Sequence, residues 1–394
     1  MSLITDNEAL AAFCARMREE RFVAIDTEFM RDRTYYPKLC LVQVAGDHEA
    51  VAIDPLAPRL DLVPLLDLMA NESVLKVMHA ARQDLEIFHN LGRLPQPFFD
   101  TQIAAMVCGF GEEIAYDTLV SKLAGAHLDK SSRFTDWARR PLSPSQIEYA
   151  LGDVTHLRVI YDKLAARIEK AGRMAWVAEE LEALLDPDLY VQQPDEAWRR
   201  LKLRTRDARF IAIVQALAAW REREAQRRDL PRARILRDDL LMEVAANRPQ
   251  SVEELRALQR VNLDRESVAG VVAAIRGAMA LPKSELPAVP EAVALPRGIG
   301  PTVDLLRVLL KYRSEESDVA QRLLASTADL EQIAVDDSAN VPALHGWRRE
   351  IFGEDALALK AGRIALAVRD RKPVVIRLDE GVRSEGAIDQ LRDQ

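Results

Sequence analysis

Three cysteines in 394 residues, at Cys14, Cys40 and Cys108, have neither metal nor redox spacing, and their odd number argues against a disulfide framework. No apolar stretch reaches the ~18 residues that a membrane helix needs. The opening Met1-Ser2-Leu3-Ile4-Thr5-Asp6-Asn7 has no signal-peptide character. The six histidines lack zinc-ligand spacing, and no glycine-rich phosphate loop is present, which speaks against nucleotide-driven chemistry. These absences describe a soluble, reduced, cytoplasmic protein, long enough for two or three domains. A net charge of −8, taken over the whole chain, disfavours a polyanionic partner.

Against this background two acids stand inside an apolar strand, Phe22-Val23-Ala24-Ile25-Asp26-Thr27-Glu28-Phe29. Alternate strand residues share a face, so Asp26 and Glu28 point the same way. Burying two like charges together is costly unless a cation offsets them, and carboxylates suit Mg²⁺ or Mn²⁺. An isolated Asp-x-Glu is equally consistent with a frayed strand end facing solvent. Further carboxylates come from elsewhere. Val74–His79 reads as a second strand, leading into a helix with Asp84 near its start; alone, Asp84 reads as an acid complementing the helix dipole. Ser143-Pro144-Ser145-Gln146 has the form of a capping box, and the helix it opens places Tyr149 and Asp153 four residues apart on one face.

The first half alternates strand and helix, with strands expected at Phe22–Phe29, Leu39–Ala45, Ala50–Asp54, Val74–His79 and Pro97–Phe99. Short loops make the first three antiparallel, and later strands arrive through helices, giving a mixed sheet flanked by helices. Beyond Gln192-Gln193-Pro194 the pattern is helical, broken by prolines at 282, 287, 290, 296 and 301. From Trp198 to Arg237 thirteen Lys/Arg face four Asp/Glu. That local excess is consistent with a phosphate-binding patch, although most charge runs are solvated helix faces.

Asp26-Thr27-Glu28-Phe29, Arg33-Thr34-Tyr35-Tyr36-Pro37, Met78-His79-Ala80, Asp84-Leu85-Glu86, Thr135-Asp136-Trp137-Ala138-Arg139-Arg140-Pro141-Leu142 and Tyr149-x-x-x-Asp153 together resemble the motifs of the DEDDy 3′→5′ exonucleases, and specifically the bacterial ribonuclease D family. The resemblance implies an α/β ribonuclease H-like exonuclease domain (1–175), followed by a linker (176–204) and a first HRDC domain (205–281), a small helical nucleic-acid-binding module. A Pro-rich linker (282–301), a second HRDC-like domain (302–370) and a tail (371–394) complete the chain. Arg234-Ile235-Leu236-Arg237-Asp238 and Arg322-Leu323-Leu324-Ala325-Ser326 are the matching pentapeptides of the two helical blocks, each with a capping residue after an apolar pair. From Val303 to Arg349 six basic residues meet eight acidic ones, so the RNA grip is expected mainly on the first copy.

The resemblance further implies a metal-dependent 3′→5′ exoribonuclease that releases nucleoside 5′-monophosphates and trims tRNA precursor 3′ ends. Two divalent ions, Mg²⁺ or Mn²⁺, would clamp the attacking and leaving oxygens. Asp26, Glu28 and Asp153 would hold the ion carrying the attacking water. Asp26 would also touch the second ion, with Asp84 reaching it directly or through water. Tyr149 would orient the water, since a phenol of pKa ~10 is a poor base. Candidate contacts to single-stranded RNA are Phe29, Met30, Tyr35, His79, Arg204, Arg227 and Arg234, although each aromatic or apolar one can equally be packing. No membrane or obligatory protein partner is implied. The rival readings are a DNA exonuclease, because no residue reveals 2′-hydroxyl recognition, and a catalytically silent RNA-binding scaffold.

Overall fold

The computed structural model describes residues 3–129, 132–133, 135–203, 205, 207–258, 260, 263–288, 296 and 298–378. Six strands form one mixed sheet: β1 (Leu3–Ile4), β2 (Phe22–Met30), β3 (Lys38–Ala45), β4 (Ala50–Ile53), β5 (Leu75–Met78) and β6 (Phe98–Asp100), in spatial order β1-β4-β3-β2-β5-β6. β2–β3–β4 is an antiparallel meander, as its short loops require, while β5 joins β2 and β6 joins β5 in parallel. The first strand, only two residues long, carries too little pattern to be read from sequence.

β2 is the keystone because its two faces do different work. Val23 and Ile25 enter the main hydrophobic core. Asp26 pairs directly across from Gln43 and Glu28 from Leu41, on the opposite face. A bulge between Glu28 and Phe29 then ends this register.

Helices α1 (Asn7–Met17), α2 (Val63–Met69), α3 (Arg82–Asn90), α4 (Thr101–Val107) and α5 (Tyr116–Leu119) follow in the first half. α6 (Pro144–Lys170) begins with the expected capping box of Ser143 and Gln146, crosses β2 and β3, and buries Ala150, Val154, Leu157 and Ile160. α7 (Met174–Leu184) packs Val177 and Leu181 into the same core, so the expected boundary at 175 cuts through a helix rather than opening a linker.

The first helical block comprises α8 (Ala208–Arg228), α9 (Arg232–Ile235), α10 (Asp238–Asn247), α11 (Val252–Arg256) and α12 (Arg265–Ala280), with its own core. The second comprises α13 (Gly300–Ser317), α14 (Gln321–Leu324), α15 (Thr327–Val335), α16 (Gly346–Arg348) and α17 (Glu354–Lys360). A hairpin of β7 (Ile364–Arg369) and β8 (Lys372–Arg377) closes the described chain. The expected boundary at 370 falls in its turn, because apolar alternation in the last segment pairs Leu366 with Val375 against the core.

The two blocks repeat at one constant offset. α8 and α13 both end on a left-handed aspartate (Asp229, φ 48°; Asp318, φ 54°), and α9 matches α14 as α10 matches α15. That offset pairs Ser326, the N-cap of α15, with Arg237 and not with Asp238 as the pentapeptides suggested. Asp238 instead accepts from the buried guanidinium of Arg221 at 2.6 Å.

Candidate active site

Asp26 and Glu28 from β2 meet Asp153 from α6, with one carboxylate oxygen of each lying within 4.8 Å of the others. The strand's two-residue repeat and a helix turn supply the three acids, and the α6–sheet packing brings them together. Tyr149, one helical turn before Asp153, stands at the same cleft; its ring lies 6.1 Å from that of buried Trp137. The Thr135–Leu142 segment fixes this end of α6. Arg140 forks onto Asp54 at 2.7 and 2.6 Å and donates to the carbonyls of Cys40 and Trp137, both at 2.7 Å. Gln146 donates to Thr135 at 3.0 Å.

The electrostatics are those of a site built for a cation. Burial, then repulsion from Asp153, holds the Asp26 carboxyl well above its ordinary range. Burial followed by Asp26 pushes Glu28 up to about 9, and burial pushes Asp153 up to about 7. Three carboxylates that resist ionising together exchange protons for a hard divalent ion, and carboxylate oxygens are the donor set that Mg²⁺ and Mn²⁺ take. The residues therefore fit a divalent metal.

Asp84 is placed differently. It is buried in the first turn of α3 and accepts a short hydrogen bond from the Thr27 hydroxyl, and it is not one of the three mutually close acids. Burial and then Asp26 raise its pKa well above the ordinary range. Thr27, between the two strand acids, was missed from sequence: its buried hydroxyl holds the fourth carboxylate.

The cleft, of about 300 Å³, is lined by Asp26, His79, Gln102, Tyr116, Arg133, Tyr149 and Asp153 among others. His79 lines it with both ring nitrogens engaged. Its Nδ1 lies 2.9 Å from Thr101 Oγ1 and its Nε2 lies 3.2 Å from the Ile114 carbonyl, so neither nitrogen is left to bind a phosphate. Tyr116 packs against that ring, tilted at 54° with centroids 5.4 Å apart, and donates to the Gly152 carbonyl. Arg133, also missed, opposes by its charge part of the rise that burial imposes on Glu28 and Asp153. Spacing carries no signal for either residue, since each reaches the cleft from a loop or short helix.

Other expected contacts also pack or pair within the protein. Phe29 packs on the main core and Met30 on a small cluster with Cys40, Trp137 and Ala150. Tyr35 is buried in the first helical block, donating to Glu222, while Asp229 accepts both the Tyr35 and Tyr36 N–H groups at 3.0 Å. The sequence offers it as an RNA contact or as packing; in the fold it docks one domain on another.

The basic tract is largely neutralised by acids that lie outside it or within it. Arg227 pairs with Glu224 and Glu266, Arg228 with Glu224 and Asp264, Arg223 with Asp195, Arg232 with Glu222 and Arg237 with Asp239. Arg234 is exposed with no ion pair among the described residues, and Arg204 lies outside them. By contrast Arg363, Arg369, Arg371, Lys372 and Arg377, on and beside the β7–β8 hairpin, carry no ion pair among the described residues.

The family described as 3′-5′ exonuclease matches residues 1–169, and the HRDC domain family matches residues 211–263, within the first helical block. The chain is 51% identical over 372 residues to the ribonuclease D of Granulibacter bethesdensis, covering 93% of this chain and 94% of that one. It is 50% identical over 380 residues to the ribonuclease D of Acidiphilium cryptum, covering 95% and 97%. Among solved structures, the crystal structure of Escherichia coli RNase D, described as an exoribonuclease involved in structured RNA processing, superposes with a TM-score of 0.78 at 34% identity. It covers 91% of this chain and 98% of its own. No helix among the described residues is long and apolar enough to cross a membrane.

Proposed function

The chain belongs to the ribonuclease D family, and we propose how its own residues perform the family's reaction. It is a divalent-metal-dependent 3′→5′ exoribonuclease, hydrolysing RNA from the 3′ end. Our reading is that two ions, Mg²⁺ or Mn²⁺, act together and that the substrate is the single-stranded 3′ end of a structured RNA, a tRNA precursor above all. The observation that carries it is the convergence of Asp26, Glu28 and Asp153 within 4.8 Å, with Asp84 buried beside them.

Asp26, Glu28 and Asp153 would hold one ion, and Asp26 with Asp84 the other. Bound cations supply an activated water and offset charge on the oxygens of the scissile phosphate. Tyr149 positions the attacking water through its hydroxyl; burial and the neighbouring carboxylates raise its pKa further, so it acts as an orienting group and not as a base. Arg133 contributes positive charge on the solvent side of the acids. The second helical block is read as a second HRDC-like copy, which the constant offset and the paired left-handed aspartates support.

The test is digestion of a 5′-labelled single-stranded RNA by the full chain, with Mg²⁺ or Mn²⁺, with chelator, and by Asp26→Asn and Tyr149→Phe. The expected result is a metal-dependent ladder shortening from the 3′ end, absent in Asp26→Asn and slowed by ~10²-fold or more in Tyr149→Phe. Metal-independent cleavage, or wild-type turnover by Asp26→Asn, refutes the assignment. A matched DNA strand cut equally fast removes the preference for RNA, and RNA bound without any cleavage favours a scaffold.

A further inference from the structure

Gln43 is the least expected residue on the catalytic face of the sheet. It sits in the middle of β3, fully buried at 0% exposure. Neither Nε2 nor Oε1 of its carboxamide has a hydrogen-bond partner among the described residues. Burying an unpaired amide is unfavourable, so such a group in a packed sheet needs an explanation.

Its position supplies one. Gln43 is the direct cross-strand partner of Asp26, and residues directly opposite in an antiparallel pair project to the same face. On that face, two residues to one side, Leu41 clusters with Ala150 of α6. Two residues to the other side, the Ala45 carbonyl accepts from Arg158 of α6 at 3.3 Å. Gln43 therefore lies beneath the stretch of α6 between Ala150 and Arg158, which carries Asp153. The Trp137 indole Nε1, in the cluster with Leu41 and Ala150, is a second buried donor without a partner. An apolar residue would fill the position at less cost, as Ala52 does next along the same row on β4.

We infer that Gln43 is a positioning residue for the metal centre, its carboxamide hydrogen-bonding a water in the hydration shell of the cation held by Asp26, Glu28 and Asp153. Mg²⁺ in particular keeps several of its waters when bound to protein, and those waters need acceptors and donors. Partners of this outer kind tune affinity by ~10–100-fold. This rests on the metal reading of the site given above.

The experiment uses the full chain with Gln43→Met and Gln43→Leu, two apolar residues of different shape. Three quantities are read: the melting temperature in chelator, the Mg²⁺ and Mn²⁺ dissociation constants by calorimetry, and kcat and KM on a short RNA. The expected result separates stability from binding. The metal-free melting temperature holds or rises, because an unpaired polar group has been removed. The metal dissociation constants weaken by ~10–100-fold, and kcat falls at subsaturating metal with KM for RNA unchanged. Unchanged metal affinity in both variants overturns the proposal, whether or not stability falls, since a purely structural glutamine predicts that outcome. Failure of the metal reading itself is distinguished by the wild-type protein, which would then bind no divalent ion in the same titration.

Discussion

Arg322, in the second helical block, donates its backbone N–H to the Glu112 carboxylate at 3.2 Å, and its guanidinium pairs with Glu113. Those acids stand in the loop whose next residue, Ile114, offers the carbonyl that faces His79 at the cleft. The block also receives this segment at Met106, whose carbonyl accepts from the Ala320 N–H at 3.0 Å, and at Gly109, which abuts Asp318. A helical module without an excess of positive charge thus braces one wall of the active site.

Gly109→Ala tests that brace. Gly109 has φ +75°, and a Cβ there would collide with the Asp318 side chain. The strained backbone alone costs ~1–3 kcal/mol. The melting temperature should fall and kcat on a trinucleotide should drop, although so short an RNA does not need the helical blocks for grip. A stable variant with unaltered kcat would show that the block does not position the wall.

Thr27→Val keeps shape and removes the donor to buried Asp84. Losing a hydrogen bond to a charged buried group costs ~1–3 kcal/mol, so the Mg²⁺ concentration needed for half-maximal cleavage should rise by ~10-fold or more. Thr27→Ser should restore it. Metal activation curves of the three proteins check this.

Metal-free stability should decline as pH rises. Asp153 and Glu28 have folded-state pKa values of about 7 and about 9, above those of an unfolded chain. The folded protein therefore binds more protons than the unfolded one from about pH 4 upward, and stability falls with pH through that window. Divalent metal displaces those protons, so the rise in melting temperature that Mg²⁺ produces should be larger at pH 9 than at pH 6. Melting curves with and without chelator across that range would expose the opposite trend.

Tyr35→Phe should cost about 1 kcal/mol of stability, from the lost bond to Glu222. Turnover of a short RNA should be unchanged, since Tyr35 is 8% exposed inside a domain interface. A raised KM with unchanged stability would return it to the substrate side.

Charge reversal at Arg369, Arg371 and Lys372 should weaken binding of a structured RNA and flatten its salt dependence, each lost phosphate contact removing ~0.9 from the slope. Reversal of Arg227 should do less, because that guanidinium already faces Glu224 and Glu266. Equal slopes for the two variants would place the contact elsewhere.

What the sequence determined by itself is what chain geometry carries over a few residues. Asp26 and Glu28 share a face because a strand repeats every two residues; Tyr149 and Asp153 share one because a helix repeats near four; Ser143 and Gln146 close a cap across one turn. Those short-range facts left each acid open to a purely structural reading, and it was the resemblance of the combined motifs to the ribonuclease D family that made the exonuclease half and its acids legible. Tertiary structure decided every relation between segments that no local period connects. It gave Thr27 to Asp84, turned Tyr35 into a domain dock, neutralised Arg227 with Glu266, and set Gln43 opposite Asp26. A charge count along the chain cannot anticipate such pairings, because electrostatic and hydrogen-bond energies depend on distance and burial in space, and the packing of the sheet, α6 and the helical blocks sets both.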